Sequence, residues 1–300
     1  MTSPRAVICI VGPTASGKTG LAIAKAQELG GEIVSIDSRQ IYRGFAIGTS
    51  QPTVEDIAKV PHHLVNILDP GETITAGKYV RLVHTAMADI VGRGKEPILC
   101  GGTGLYFRVL RLGLQEVGPV DAAVRSKVEA LIDAEGAEAA HKRLADIDPD
   151  YAATIHPNNR PRLVRALEIL EATGQSPGRN RNWQDRSGGS SVTIDGVGEV
   201  TFALAGIERP RKALYRRIDQ RVLDMLEAGW QAEVRGLLEA GVPEEAHPMQ
   251  GIGYRELVKV ERGELTLEAA LPLIQQRTRN FAKRQLTWLR KEPVTWVGAG

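Results

Sequence analysis

GPTASGKT, residues 12–19, is the stretch of this 300-residue sequence that decides its fold. It fits the pattern G-x-x-x-x-G-K-[ST] in full and lies between an apolar run, residues 6–11, and a helical pattern, residues 18–29. Glycines allow such a loop to curl, so that successive N–H groups and the helix N-terminus face one anion. We therefore expect a phosphate-binding loop formed by Gly12, Pro13, Thr14, Ala15, Ser16, Gly17, Lys18 and Thr19.

Two side chains of this loop add chemistry to the backbone cradle. Lys18 supplies a point charge to the outer phosphate oxygens, and the Thr19 hydroxyl is placed to bind Mg²⁺. The alternative is a glycine turn that contains Lys-Thr by chance, and the strand and helix on either side argue against it. The pattern strongly indicates a phosphate ligand, but it does not say which one.

The first hundred residues alternate between strand and helix patterns. Strands are predicted at residues 6–11, 32–36 and 97–100, and helices at residues 18–29 and 76–93. Because βαβ alternation places strands side by side in one direction, it predicts a parallel sheet with helices on both faces. The expected fold class is α/β, with a P-loop NTPase-like parallel sheet flanked by helices.

The strand pattern stops after residue 113, and residues 121–174 have amphipathic helical patterns instead. We interpret this region as an inserted all-helical subdomain, residues 116–196. The catalytic core is then discontinuous and comprises residues 1–115 and 197–300.

Two further segments complete the predicted organisation. Residues 175–191 are rich in glycine, serine and charged residues and are expected to form a polar linker. Residues 200–205 have a strand pattern and are expected to be the one later strand that rejoins the sheet. The remaining residues have helical patterns, with Leu214, Ile218 and Val222 on one apolar face.

The composition, 42% hydrophobic and 25% charged, is typical of a globular protein. No apolar run reaches the roughly 18 residues that a membrane-spanning helix needs, and the N-terminus lacks a signal-peptide cleavage pattern. We therefore expect a cytoplasmic protein that does not contact membranes. The net charge of +2 is by itself too small to indicate a nucleic-acid partner.

An acidic residue is missing where an ordinary NTPase has one. In that class a second apolar strand ends in a carboxylate that holds the metal, whereas the strand at residues 97–100 runs into Gly-Gly-Thr-Gly at residues 101–104. The acid stands elsewhere, because Asp37 directly follows the strand at residues 32–36. Ligands bind at the carboxyl ends of parallel strands, so we expect the phosphate loop, Asp37 and residues 101–104 to meet in one crevice. There Asp37 could be a metal ligand, a general base or a cap on the segment that follows.

Several motifs beyond the phosphate loop resemble those of one family. The sequence resembles the tRNA dimethylallyltransferases, also called isopentenyl-tRNA transferases, over nearly its whole length and in the same order. Only residues 175–199 match the family poorly. The motifs that carry the resemblance are GPTASGKT, DSRQIYRG, GTSQPT, VPHHLVNILDP, GGTGLYF, HPNNRPRLVRALEI, MQGIGYREL and RTRNFAKRQLTWLR.

The resemblance implies a prenyl transfer reaction. The loop would hold the diphosphate of dimethylallyl diphosphate, with Mg²⁺ between its oxygens, and would not drive hydrolysis. Thr14 and Lys18 would touch the leaving group, Thr19 would bind the metal, and Asp37 would be the general base. The acceptor would be the exocyclic amine of the adenine beside the anticodon, and the partner would be a tRNA anticodon stem-loop.

We expect the enzyme to be a monomer. The resemblance also implies a set of residues that contact tRNA. The segments are residues 37–40 and 161–165, together with two single residues. The implied tRNA-binding residues are Asp37, Ser38, Arg39, Gln40, Thr103, Arg125, Pro161, Arg162, Leu163, Val164 and Arg165.

Residues 275–291 contain six basic residues and no acidic residue. They form either a solvated charged face or a surface for phosphate groups, and some of the side chains could face the active site. Three rival functions also stay open. The chain could be an ATP-binding kinase of a small metabolite, a prenyltransferase acting on free adenine nucleotide, or an RNA-binding switch regulated by nucleotide. The missing carboxylate after residues 97–100 counts against the kinase.

Overall fold

The computed structural model describes residues 3–113, 120–177 and 191–298. The chain divides into two compact units, which we call the sheet unit, Met1–Gly113 with Ser190–Gly300, and the helical unit, Leu114–Gly189. The helical unit ends before residue 196, where the predicted insertion ends, because residues 192–194 form a strand that pairs within the sheet. Most of the predicted polar linker falls on residues 178–190, outside the described residues.

Strands and helices alternate up to residue 112, and the helical unit interrupts the sheet unit once. The first part of the sheet unit contains β1 (Arg5–Val11), α1 (Lys18–Leu29), β2 (Glu32–Ile36), α2 (Ala46–Thr49), α3 (Val54–Lys59), β3 (His62–His63), α4 (Ala76–Gly92), β4 (Pro97–Gly101) and α5 (Gly104–Leu112). The helical unit contains α6 (Ala122–Glu135), α7 (Ala137–Ile147), α8 (Pro149–Ala152) and α9 (Arg160–Thr173). The second part of the sheet unit contains β5 (Val192–Ile194), β6 (Gly198–Glu208), α10 (Arg211–Glu227), α11 (Trp230–Glu239), α12 (Tyr254–Glu261), α13 (Leu267–Leu289) and β7 (Val294–Gly298).

The described residues form one seven-stranded sheet in the order β3-β2-β4-β1-β6-β5, with β7 also paired to β6. All pairs are parallel except β5 with β6. The expectation that residues 200–205 are the one later strand to rejoin the sheet was wrong, because β5 and β7 pair with β6 as well. Both are short edge strands that are partly exposed, so they lack the continuous apolar run that marks a central strand.

The core of the sheet unit lies on both faces of its central strands. Ile10, Ile33 and Ile98 pack with α1 on one face, and both cysteines are free and buried in β1 and β4. Central parallel strands covered on both faces are continuously apolar, which explains the uninterrupted runs in the sequence. No helix of the described residues is long and apolar enough to cross a membrane.

The helical unit has a core of its own. Its buried side chains come from α6, α7, α8, α9 and the segment between α8 and α9. They are Val128, Ile132, Ala140, Leu144, Ala152, Ile155, Leu163, Val164, Ala166 and Leu167.

One charged side chain is buried at the edge of the sheet. Glu32, at the start of β2, is 5% exposed and accepts hydrogen bonds from Arg93 Nη1 and, at 2.8 Å, Arg93 Nη2. His63 Nε2 lies 2.7 Å from Glu32 Oε2. The hydrogen bonds from Arg93 outweigh the cost of burial and lower the pKa of Glu32 to about 2.

This shift predicts how the stability of the sheet depends on pH. Since the folded-state pKa lies below the unfolded value of about 4.5, Glu32 stabilises the fold above that value and loses the effect as the pH falls towards 2. We expect Glu32→Gln to lower the free energy of unfolding at pH 7 by up to about 3 kcal/mol, with the difference from wild type shrinking below pH 4.5. Urea unfolding at about pH 7, 5 and 4 measures this difference in the free energy of unfolding.

Glu96→Gln is the matched control, because Glu96 pairs with Arg5 at the surface and its side chain is 49% exposed. A Glu32 variant as stable as this control at pH 7 contradicts the assignment of a stabilising buried carboxylate.

Candidate functional site

A cavity of about 570 Å³ opens at the carboxyl ends of β1, β2 and β4. The loops that follow these three strands line it, so the structure brings together the three segments that the sequence predicts to meet. The lining residues that the sequence singles out are Thr14, Ala15, Gly17, Lys18, Thr19, Asp37, Ser38, Arg39, Gln40 and Thr103.

The phosphate loop has the curled backbone that its sequence predicts. Ala15 and Gly17 have φ angles of 61° and 98°, in the left-handed region. The N–H groups of Gly17, Lys18 and Thr19, at the start of α1, have no hydrogen-bond partner among the described residues. They can therefore donate hydrogen bonds to a bound anion.

Three residues of the loop do not line the cavity. Gly12, Pro13 and Ser16 are buried behind it. A Cβ added at Gly12 would lie 2.7 Å from Ser16 Oγ, so any other residue at position 12 would displace the Ser16 hydroxyl. These three residues support the loop from behind, while the other five line the cavity.

Lys18 lies half-buried in the cavity, with its Nζ 3.4 Å from the Pro13 carbonyl oxygen. Desolvation lowers the pKa of Lys18 below its ordinary value, and nearby Arg221 adds to this effect while Asp37 opposes it. An anion bound beside Lys18 would favour its charged form.

Asp37 is both a cap and a free acceptor. Its Oδ1 accepts hydrogen bonds from the N–H groups of Arg39 at 2.8 Å and Gln40 at 3.3 Å. Its Oδ2 has no hydrogen-bond partner among the described residues and belongs to a side chain that lines the cavity. Tyr79 fixes the backbone here, because its hydroxyl accepts from Asp37 N–H at 3.1 Å and donates to Ser35 O at 2.7 Å.

The other residues predicted beside Asp37 are held by the protein to different degrees. Gln40 is fully engaged: its Oε1 accepts from Ser35 Oγ at 3.0 Å, and its Nε2 donates to Ser50 O at 2.8 Å. Thr103 Oγ1 accepts from Ser38 N–H at 3.3 Å and joins the loop after β4 to the loop after β2. Arg39 Nη1, in contrast, is buried with no hydrogen-bond partner in the described part of the chain.

Sequence reasoning missed a wall of basic and aromatic residues supplied by α10, α11 and α12. Arg217 Nε donates to Ala15 O at 2.9 Å, and Arg221 Nε donates to Ser50 Oγ at 3.1 Å. Both arginines line the cavity, as do Trp230 and Tyr254. The available signal was the spacing of four residues between Arg217 and Arg221, which puts both on one face of α10.

The basic segment at residues 275–291 divides its charges among several tasks. Arg277 pairs with Glu256 and Arg279 pairs with Asp219, so neither is a free cation. Arg284 lines the cavity. Neither of the two interpretations of this segment holds for all of its residues.

The residues of the helical unit that were predicted to contact tRNA fall into two groups. The expectation of tRNA contact is corrected for Leu163 and Val164. They are 0% and 3% exposed in the helical core, so their side chains are not accessible to RNA. Pro161 and Arg162 are exposed, and Arg162 has no ion-pair partner within the described ranges. Two further arginines share one acid, since Arg125 and Arg165 both pair with Glu168, at 3.4 Å and 3.1 Å.

No group of three or more histidine, cysteine, aspartate or glutamate residues that could hold a metal ion occurs among the described residues. The cavity offers the exposed hydroxyl of Thr19 and the carboxylate of Asp37. This donor set fits a Mg²⁺ ion that takes most of its ligands from a bound phosphate ligand and from water.

The chain matches one family of known proteins. The family model described as IPP transferase matches residues 40–292. The chain is 44% identical to "tRNA dimethylallyltransferase 1" of Trichlorobacter lovleyi over 292 residues, which cover 97% of this chain and 93% of the relative.

Solved structures are similar over nearly the whole chain. The tRNA isopentenylpyrophosphate transferase of Bacillus halodurans is 37% identical, with a TM-score of 0.69 over 99% of this chain and 90% of that one. A eukaryotic dimethylallyltransferase acting on tRNA is 28% identical, with a TM-score of 0.81 over 98% of this chain and 74% of that one. The chain therefore belongs to the IPP transferase family, the family of the tRNA dimethylallyltransferases.

Proposed function

We propose that this enzyme transfers a dimethylallyl group from dimethylallyl diphosphate to the exocyclic amine of the adenine beside the anticodon in tRNA, releasing diphosphate. The observation that carries the proposal is the shared cavity, lined by both the phosphate loop and Asp37, whose Oδ2 accepts no hydrogen bond from the described residues. One side can hold a leaving anion while the other accepts a proton.

The leaving group needs stabilisation as the allylic carbon–oxygen bond breaks. Negative charge then collects on the diphosphate, and the N–H groups of Gly17, Lys18 and Thr19 can hold it without reorganisation. The side chains of Lys18, Arg217 and Arg221 add positive charge on the same side. Fixed donors in a partly desolvated cavity are worth more than the same donors in water.

The adenine amine is a weak nucleophile, because its lone pair is delocalised into the ring. It becomes acidic as it attacks and needs an acceptor for its proton. Asp37 Oδ2 is that acceptor in our proposal, while Oδ1 keeps the carboxylate in place through the N–H groups of Arg39 and Gln40.

Enzymes of this family use a divalent metal ion, and we assign it as Mg²⁺, with Thr19 as the protein ligand. When bound, such an ion neutralises the developing charge on the diphosphate oxygens. The exposed Thr19 hydroxyl at the first turn of α1 suits this role, because Mg²⁺ takes few protein ligands when phosphates supply the others.

We further propose that the helical unit is the inserted subdomain that contacts tRNA. The whole enzyme acts as a monomer in the cytoplasm in this proposal. Pro161, Arg162, Arg165 and Arg125 are exposed and can contact the phosphate backbone, which fixes position on RNA. In the sheet unit, Arg39 lines the cavity in which the acceptor base would lie. The acceptor base must leave its stack to reach the cavity, as loop bases in RNA can.

The rival functions lack comparable support. A metabolite kinase would need the carboxylate that β4 does not supply, because the strand ends at Gly101 and Gly102 follows it. A prenyltransferase for free adenine nucleotide would share the cavity but would have no use for the exposed arginines of α9.

A transfer assay separates the candidate functions. We expect label from dimethylallyl diphosphate to appear in unmodified tRNA and not in AMP, and ATP incubated with the enzyme to remain intact. Label in AMP with none in tRNA would support the free-nucleotide enzyme, and ATP-dependent phosphorylation would support the kinase.

The role of Asp37 as base predicts a loss of turnover without a loss of binding. Asp37→Ala and Asp37→Asn should each bind tRNA as wild type does and should lower kcat by about 10²–10⁴-fold, the usual contribution of a general base. Asp37→Asn is the sharper variant, because the amide oxygen can still accept from Arg39 and Gln40. Single-turnover kinetics and tRNA binding measure the two effects, with the exposed Asp224→Ala as control. Near-normal turnover of Asp37→Asn would refute the assignment.

Arg217 provides a test of the anion site on the other side of the cavity. Arg217→Gln should weaken the binding of inorganic diphosphate about tenfold or more, since a hydrogen bond to a charged group is lost. Arg216→Gln is matched in charge and position on α10 but does not line the cavity, and it should change the affinity by less than about twofold. Equal effects of both variants in calorimetric titrations would reduce Arg217 to a contributor to overall charge.

A further inference from the structure

Gln285 of α13 lies between two loops of the cavity. The side chain is 8% exposed. Its Oε1 accepts from the Thr14 N–H at 2.9 Å, and its Nε2 donates to the Gly102 carbonyl oxygen at 3.1 Å. A Cβ added at Gly102 would lie 2.4 Å from Gln285 Nε2, so glycine at position 102 is what lets the amide approach. Both polar atoms of the amide are therefore satisfied inside the cavity wall.

This contact removes one donor from the phosphate loop. The N–H groups of Gly17, Lys18 and Thr19 have no acceptor in the described part of the chain, whereas that of Thr14, nearer the start of the loop, already has one. In loops of this pattern, the backbone at the helix end holds the first two phosphates and the lysine reaches the outer ones, so a third phosphate extends towards the start of the loop. There it would meet the Gln285 carbonyl oxygen, which carries a partial negative charge.

Charge alone would favour a triphosphate over a diphosphate. Lys18, Arg217, Arg221 and Arg284 line the cavity, and Asp37 is the acid beside them. Such an excess of positive charge attracts a triphosphate more strongly than a diphosphate, because the triphosphate is the more negative anion. A preference for diphosphate must therefore come from occupied space and occupied donors.

We propose that Gln285 limits the anion site to two phosphates and so excludes nucleoside triphosphates, which G-x-x-x-x-G-K-[ST] loops bind in other proteins. The proposal rests on the proposed function, in that the loop must hold a diphosphate. It assigns Gln285 as a specificity-determining residue, acting by filling the position of a third phosphate and by occupying the Thr14 N–H.

Calorimetric titration of the full chain with inorganic diphosphate and inorganic triphosphate, at one fixed Mg²⁺ concentration, tests the proposal. We expect wild type to bind diphosphate at least about tenfold more tightly, against the order that charge predicts. Gln285→Ala opens the space and frees the Thr14 N–H, so its preference should fall by about tenfold or reverse. Gln285→Leu keeps the volume filled and should keep the preference for diphosphate.

Gln275→Ala is the matched control, because Gln275 lies on the same helix and donates to Asp219 O at 3.2 Å outside the cavity. It should leave the ratio of the two affinities unchanged. Should Gln285→Ala fail to fold, Gln285→Asn shortens the side chain by one methylene and should move the ratio in the same direction.

Two results overturn the inference. One is a wild-type enzyme that binds triphosphate as tightly as diphosphate, and the other is a Gln285→Ala enzyme (or Gln285→Asn, if Gln285→Ala does not fold) that binds diphosphate with an unchanged ratio of the two affinities. A wild-type enzyme that binds neither anion contradicts the proposed function itself, so the two failures are distinguishable.

Discussion

The N–H groups at the start of α1 have no acceptor within the helix, and the organisation of the cavity depends on this local deficit. An α-helix leaves its first N–H groups unpaired, and the dipole adds positive potential at the same end. In this chain Gly17, Lys18 and Thr19 bring those groups to the carboxyl edge of the sheet without a side-chain cap. An anion from outside the chain is then the natural partner, and Lys18, Arg217 and Arg221 increase the attraction.

The second constraint is that the phosphate loop and Asp37 are connected through the loops of neighbouring strands. Gln285 ties the phosphate loop to the loop after β4, and Thr103 ties that loop to Ser38, beside Asp37. Tyr79 anchors the end of β2 from the other side. Three loops on neighbouring strands are thereby joined through side-chain hydrogen bonds, which keeps the phosphate loop and Asp37 in one cavity.

Much of the core of the site could be predicted from the sequence, because it lies on local signals. The phosphate loop is contiguous, and Asp37 and Thr103 each follow a buried strand, so the parallel topology brings them together. Arg217, Arg221 and Gln285 had no such signal: they are about 200 residues or more from the loop in sequence and reach it only through the packing of α10 and α13. The edge strands β5 and β7 were missed for a related reason, since their partly exposed residues do not form an apolar run. Leu163 and Val164 show the converse error, in which a motif was transferred as a block although its helix buries two of its five side chains.

The most direct test is a crystal structure of this enzyme with Mg²⁺ and an unreactive thiolo analogue of dimethylallyl diphosphate, in which sulfur replaces the bridging oxygen. The account predicts both phosphates on the N–H groups of Gly17, Lys18 and Thr19, with the allylic carbon directed into the space that Asp37 Oδ2 faces. Phosphates bound elsewhere, for example along the outer face of α13, or an allylic carbon directed away from Asp37, would contradict it.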